Sequence, residues 1–137
     1  MNIPLNLWSV VVAAVAGMVV GAIWYGPLFG KKYMSAVGMD SWPQEKRDAM
    51  RKSMVKSYVL QFLLSLVTYY VLAMNIVWSG LPAWPAMVFA FFIWLGFILP
   101  IKLGETLWGG SKTLAWLNIG SQLISLVVAG AIIGAMN

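Results

Sequence analysis

The chain has 137 residues, of which 61% are hydrophobic and only 9% are charged, and its formal net charge is +5. Soluble domains are about 45–50% apolar and about 25% charged, so this composition excludes an ordinary soluble domain. The chain has no cysteine and no histidine, which excludes disulfide and thiolate chemistry and argues against a transition-metal site. We therefore expect neither a metal nor a cofactor.

Four apolar stretches are long enough to cross a bilayer, which takes about 20 residues. No Lys or Arg precedes the first stretch, so we interpret it as a retained span and not as a cleaved signal peptide. The sequence predicts an all-α fold, a polytopic four-transmembrane-helix bundle that forms a single membrane domain over residues 1–137. The predicted spans lie at approximately 5–24, 58–77, 84–101 and 114–136.

Small residues recur at a spacing of four in the first and last spans. Gly17 and Gly21 lie in the first span, and Gly130 and Gly134 lie in the last. Lipid-embedded helices associate through close backbone approach, which such residues permit. We predict that the four glycines pack helices within the bundle, with an interface between copies as the alternative.

The first span ends in the stretch WYGPLFGKKY, residues 24–33. A phosphate-binding P-loop needs four residues between its glycines, followed by Lys and then Ser or Thr. Here three residues separate Gly26 from Gly30 and a second lysine follows the first, so this motif is excluded. We predict instead that Gly26 and Pro27 end the helix.

The rest of that stretch has two predicted roles. Leu28 and Phe29 form an apolar pair between glycines, and we predict that they fold back as the wall of any site at this end of the bundle. Lys31 and Lys32 are predicted to contact anionic lipids at the same membrane surface.

Every charged side chain falls in one of two segments of the chain. Ten lie between Lys31 and Lys56, and the other three are Lys102, Glu105 and Lys112. In a four-span protein these two connections share one side of the membrane, and the positive-inside rule makes that side cytoplasmic. The charge is thus a topology signal and not a nucleic-acid surface. We predict a bacterial cytoplasmic membrane protein with both termini outside.

The first connection is long enough to contain a helix of its own. Ser41 and Gln44 have the spacing of a capping box, and no Gly or Pro follows Gln44 until the second span has ended. We predict a charged cytoplasmic helix between spans one and two that continues into the second span.

Two of the spans carry uncharged polar residues at helical spacing. Such groups need hydrogen-bond partners in lipid, so we predict bonds between the two helices; a hydrated ligand site is the alternative. The second span carries Gln61, Ser65, Thr68 and Asn75, and the fourth carries Asn118, Ser121, Gln122 and Ser125.

The third span ends in GFILPIKLGETLWGG. Pro100 removes a helical hydrogen bond and crowds the carbonyl of Gly96, which predicts a kink. Lys102 and Glu105 follow three residues apart, on one helical face. Ionisable groups near the membrane core indicate functional sites, although these two could also extend to the membrane surface. The candidate polar or ligand site comprises Lys102, Glu105, Gln61, Asn118 and Gln122.

Three segments together resemble a known bacterial membrane family, domain of unknown function 1761. They are IWYGPLFGKKY after the first span, WLGFILP in the third and NIGSQLISLVVAGAIIGAM in the fourth. The resemblance covers nearly the whole chain and implies four membrane helices, but it implies no activity. GPLFGK and GETLWGG also suggest a weak parallel repeat of two helix hairpins.

The residues present favour a binding or structural role. No Ser is accompanied by a His and no span holds a pair of carboxylates, so we identify no catalytic residue and predict that the protein is not an enzyme. The leading hypothesis is a self-associating bundle, a homo-oligomer in contact with anionic lipids. The alternatives are a small transporter or channel subunit with a cytoplasmic-side polar site and, more weakly, an enzyme acting on lipid.

Overall fold

The computed structural model describes residues 4–38 and 41–137, so Asp40 of the first connection lies outside it. The described residues are helical, with no strand, which confirms the all-α prediction. Four segments are long and apolar enough to cross a membrane: Leu7–Leu28, Gln44–Trp78, Ala83–Thr106 and Lys112–Met136. The α-helices of these segments and of the connection between the first two are α1 (Leu7–Ile23), α2 (Gly30–Val37), α3 (Gln44–Trp78), α4 (Ala83–Ile93), α5 (Leu99–Thr106) and α6 (Lys112–Met136).

Helix α6 is the centre of the bundle. It contacts each of the other five helices, and 44% of its apolar segment is buried, compared with 11% for Ala83–Thr106. Its buried side chains Leu126, Ala129 and Ile133 pack against small buried residues of its neighbours, such as Ala13 on α1 and Ala90 on α4. The last helix therefore joins the two halves of the chain.

Glycines bring α4 and α6 into backbone contact. A Cβ added at Gly130 would lie 2.8 Å from the carbonyl oxygen of Ala86, and one at Gly134 would lie 2.8 Å from Cα of Ala83. On α1, a Cβ at Gly17 would lie 2.7 Å from the hydroxyl oxygen of Tyr69, whereas one at Gly21 would meet no described atom within 4 Å. Three of the four glycines named from the sequence thus pack inside one chain.

Two π-helical turns interrupt the first and third spans at matching places. They cover Trp24–Leu28, after α1, and Trp94–Ile98, between α4 and α5. The carbonyl of each leading tryptophan accepts a hydrogen bond from the amide five residues later, at Phe29 and Leu99 respectively. The widened turns accommodate the nearby prolines, which have no N–H to donate. Gly26 and Pro27 lie inside the first of these turns, and the first span ends at Leu28, one residue after the predicted end.

The tryptophans that begin these turns both hold α6. The indole Nε1 of Trp24 donates to the carbonyl of Leu117 over 2.9 Å, and that of Trp94 donates to the carbonyl of Ile119 over 2.8 Å. The ring of Trp24 lies on Gly120, where an added Cβ would come within 2.7 Å of it. The two equivalent turns are Trp24–Leu28 and Trp94–Ile98, whereas the sequence paired GPLFGK with the later GETLWGG segment.

The described termini meet at the opposite end of the bundle. The backbone amide of Asn6 donates to Oδ1 of Asn137 over 2.8 Å, and Nδ2 of Asn137 donates to the hydroxyl of the buried Ser9 over 3.0 Å. We call the other end the charged end, because α2, α5 and the charged start of α3 belong to it.

Helix α3 is one continuous helix of 35 residues. Its start has no side-chain cap: Pro43 is the N-cap residue, the hydroxyl of Ser41 donates to the carbonyl of Gly38, and Gln44 bonds Asp48. The predicted capping box is wrong, because Ser41 already closes the turn before it. Only the second half of α3 is buried, at Tyr69, Leu72, Ala73 and Ile76.

Replacing Gly130 by Ala tests the close contact of α4 and α6. The added methyl overlaps the Ala86 carbonyl, and such overpacking costs about 1–3 kcal/mol. We expect a lower free energy of unfolding in detergent. The matched control, Gly21→Ala, has free space and gains helix propensity, so its stability stays equal or rises. Equal loss in both variants would contradict the packing described here.

Replacing Trp94 by Phe removes the indole N–H that bonds the Ile119 carbonyl. We expect a loss of about 1 kcal/mol in denaturant unfolding, as for one hydrogen bond. Trp108→Phe is the control, since Trp108 is 92% exposed and its loss is expected to leave stability unchanged in detergent. If Trp94→Phe is as stable as wild type, the hydrogen bond does not hold α6.

Candidate functional site

An open cleft of about 140 Å³ lies at the charged end, between α5 and the first turns of α6. Its wall combines two charged side chains, two hydroxyls, one amide, backbone and a small apolar patch. The lining residues are Lys102, Glu105, Thr106, Gly109, Gly110, Ser111, Leu114, Ala115 and Asn118.

The local backbone explains why the cleft forms here. Gly109 and Gly110 have φ of 108° and 121°, a conformation that residues with a side chain rarely adopt. They reverse the chain between α5 and α6. Ser111 then caps α6 by accepting a hydrogen bond from the amide of Leu114 over 3.2 Å. The two helices consequently meet at an angle that leaves a space between them.

One ion pair lies at the rim of the cleft. Nζ of Lys102 is 3.8 Å from Oε2 of Glu105, and the two side chains are 38% and 64% exposed. A charge-assisted hydrogen bond is about 2.7–2.9 Å long, so the two groups attract each other without a direct bond. Exposed pairs of this kind contribute about 0–1 kcal/mol. Both groups therefore remain available to a ligand.

Asn118, which lines the cleft, is held by a side chain of the first π-helical turn. The hydroxyl of Tyr25 donates to Oδ1 of Asn118. The Tyr25 ring packs edge-on against Tyr33, with ring centroids 5.1 Å apart. The cleft is thus built on a contact between the first and last spans.

The polar groups of α6 continue only partway into the bundle. Ser125, seven residues beyond Asn118, is buried. Seven helical residues correspond to about 10 Å. Beyond this point the buried side chains of α6 are apolar or glycine, as at Ala129 and Ile133. The described residues therefore form no polar path from one end of the chain to the other.

The structure brings together three of the five candidate site residues. Lys102, Glu105 and Asn118 line the cleft, whereas Gln61 and Gln122 are exposed elsewhere. Nε2 of Gln61 donates to the hydroxyl of Ser65 on its own helix over 3.4 Å. The predicted bonds from Gln61 to α6 are absent from the described contacts, because the first half of α3 is not packed against the bundle.

The predicted wall residues do not line this cleft. Leu28 is exposed, and Phe29 packs on Trp24, with ring centroids 4.6 Å apart. Lys32 lies over the Phe29 ring with Nζ 5.8 Å from its centroid, and Lys31 is exposed. The segment of residues 28–32 thus lies on the outside of the first π-helical turn, and its two lysines remain accessible.

Sequence reasoning missed two residues that line the cleft, Thr106 and Ser111. It also missed Tyr25, which bonds the lining residue Asn118. The position of Ser111 directly before the fourth span is a helix-start signal that could have placed its hydroxyl there. Nothing in the spacing points to Tyr25, since its contact with Asn118 joins residues that are 93 positions apart.

Comparison with known proteins gives one match. No curated protein and no solved structure matches the chain. A family model matches residues 8–134, nearly the whole chain, and its description is "Protein of unknown function (DUF1761)". The chain therefore belongs to the DUF1761 family, as the resemblance in three of its segments implied.

Proposed function

We propose that the protein is a small integral membrane protein that self-associates, with a second copy covering the outer face of α3. The observation that carries this proposal is the exposure of the apolar middle of α3. Tyr58, Leu60 and Leu64 are all at least half exposed there, and the polar side chain of Gln61 lies among them.

A polar stripe follows this exposed side of α3. Three of its side chains bond carbonyls four residues earlier on the same helix: Ser65 to Gln61, Thr68 to Leu64 and Asn75 to Val71. Gln61 and Asn75 keep amide oxygens that no described donor reaches. In hydrocarbon such groups raise the free energy unless another protein group bonds them.

A second copy of the chain fits this stripe chemically. Amides and hydroxyls donate and accept hydrogen bonds, so a stripe of them is complementary to itself, and none of its members carries a repelling charge. Two-fold symmetry with both α3 helices parallel places each residue opposite its own copy. Hydrogen bonds between membrane helices contribute about 0.6–2 kcal/mol each, and the neighbouring Leu64 and Val67 add apolar contact.

The charges and tryptophans support one orientation in a bacterial cytoplasmic membrane. Trp8, Trp78 and Trp84 are exposed at the end where the termini meet, and Trp108 and Trp116 are exposed at the charged end. Tryptophans concentrate at both membrane surfaces, and Lys and Arg concentrate on the cytoplasmic side. We therefore assign the charged end to the cytoplasm and both termini to the outside.

A small transporter or channel subunit is the second candidate, and the cleft at Lys102 favours it. The apolar core beyond Ser125 argues against conduction through one chain, so this candidate would need a pathway between copies. No observation favours an enzyme acting on lipid over either candidate.

The absence of native cysteine makes disulfide crosslinking a direct test of the interface. We expect Gln61→Cys to form a disulfide dimer in membranes on mild oxidation, because the symmetric interface brings the two copies of this position together. Leu63→Cys is the control: it is equally accessible at 51% exposure but lies about 160° around the helix. Crosslinking of Leu63→Cys at the same rate would place the interface elsewhere.

Cysteine labelling also tests the orientation. We expect a membrane-impermeant maleimide to label Ser79→Cys, in the turn after α3, in intact cells. Ser35→Cys, on the exposed side of α2, should react only after lysis. The reverse pattern would place the charged end outside and contradict the assignment.

A further inference from the structure

We propose that the cleft between α5 and α6 binds a zwitterion that carries both a phosphate and an ammonium group, the chemistry of phosphoethanolamine. This site is separate from the α3 face and does not depend on self-association.

The size of the cleft restricts the ligand. Pockets for drug-sized molecules measure about 300–1,000 Å³, whereas this cleft measures about 140 Å³. Only a few heavy atoms fit inside it, as in one phosphate with a short amine. Because the cleft is open at the rim, the rest of a larger molecule can remain outside.

The charges of the cleft restrict the ligand further. Lys102 and Glu105 are the only charged residues in its lining, so the net charge of the wall is zero. A plain anion would be repelled by Glu105, and a plain cation would be repelled by Lys102. Lys102 and Glu105 are 3.8 Å apart and make no direct hydrogen bond with each other. A ligand that carries both charges can therefore pair with both side chains.

The polar groups of the lining favour a phosphate next to Lys102. Ser111 lines the cleft, and its hydroxyl accepts a hydrogen bond from the Leu114 amide over 3.2 Å. The same hydroxyl keeps its own proton to donate to an anion. Asn118 adds its side-chain Nδ2, which has no described acceptor, while its Oδ1 is bonded by Tyr25. The ammonium group then faces the Glu105 carboxylate.

The surface beside the cleft favours a ligand carried by a lipid. Leu107 and Trp108, directly before the glycine turn, are 82% and 92% exposed. Large apolar side chains with this exposure at the end of a span belong against acyl chains and headgroups. A headgroup in the cleft therefore has a place for its acyl chains along these two residues.

Native mass spectrometry of the full chain released from nanodiscs tests the proposal. The nanodiscs contain phosphatidylethanolamine and phosphatidylglycerol in equal amounts. We expect the wild type to retain the ethanolamine lipid in preference. Lys102→Gln and Glu105→Gln should each lower its retention about tenfold, the effect of losing one charged hydrogen bond. The controls Lys112→Gln and Glu45→Gln make the same charge changes outside the cleft and should retain wild-type binding.

A second arm separates lipid from free ligand. Free phosphoethanolamine is titrated into protein in phosphatidylglycerol nanodiscs and followed by ³¹P NMR. Lipid retention without binding of the free compound identifies the lipid-borne group, and binding of both identifies the headgroup alone. Because all four substituted side chains are exposed or at the rim, unchanged tryptophan fluorescence verifies that each variant is folded.

Two results would overturn the proposal. Equal retention of both lipids, with loss only in Lys102→Gln, would show a simple anion site. Wild-type retention in both Lys102→Gln and Glu105→Gln would show that the cleft does not bind this chemistry.

Discussion

Polar groups inside a bilayer need hydrogen-bond partners from the protein, and this constraint explains most of the bundle. Two prolines would leave carbonyls unbonded near the ends of the first and third spans. The π-helical turns at Trp24–Leu28 and Trp94–Ile98 rearrange the backbone hydrogen bonds near these prolines. The indole N–H groups of Trp24 and Trp94 donate to carbonyls of α6. Helix α6 is therefore held from both sides, and each half of the chain contributes one equivalent turn.

The same constraint separates the two polar stripes. The stripe of α6 faces the interior of the chain, where Tyr25 bonds Asn118 and where Ser121 and Ser125 are buried. The stripe of α3 bonds mainly to its own backbone and faces outward. In lipid the stripe of α6 is covered by its own chain, whereas the stripe of α3 needs hydrogen-bond partners from a second protein chain. Packing within the chain and the association that we propose between chains thus rest on one physical requirement applied to two helices.

The sequence was sufficient for the architecture but not for the contacts. Span number and the glycine contacts at Gly130 and Gly134 follow from composition and local spacing, which are properties of short segments. The Trp94 bond and the Tyr25–Asn118 contact depend on helix rotation and on two π-helical turns, which shift the register beyond them. The expected pairing of Gln61 with Asn118 fails for the same reason: spacing places both on polar faces, but it does not say that α3 diverges from α6.

Self-association is the central claim, because it accounts for the exposed polar side of α3. Counting subunits in a bilayer tests it most directly. Protein carrying one fluorophore per chain is diluted into supported membranes of bacterial lipid, and photobleaching steps are counted for each spot. A dimer predicts spots dominated by two steps that persist as the protein is diluted. Single-step spots at every dilution would show that α3 is covered by lipid alone and would contradict the account.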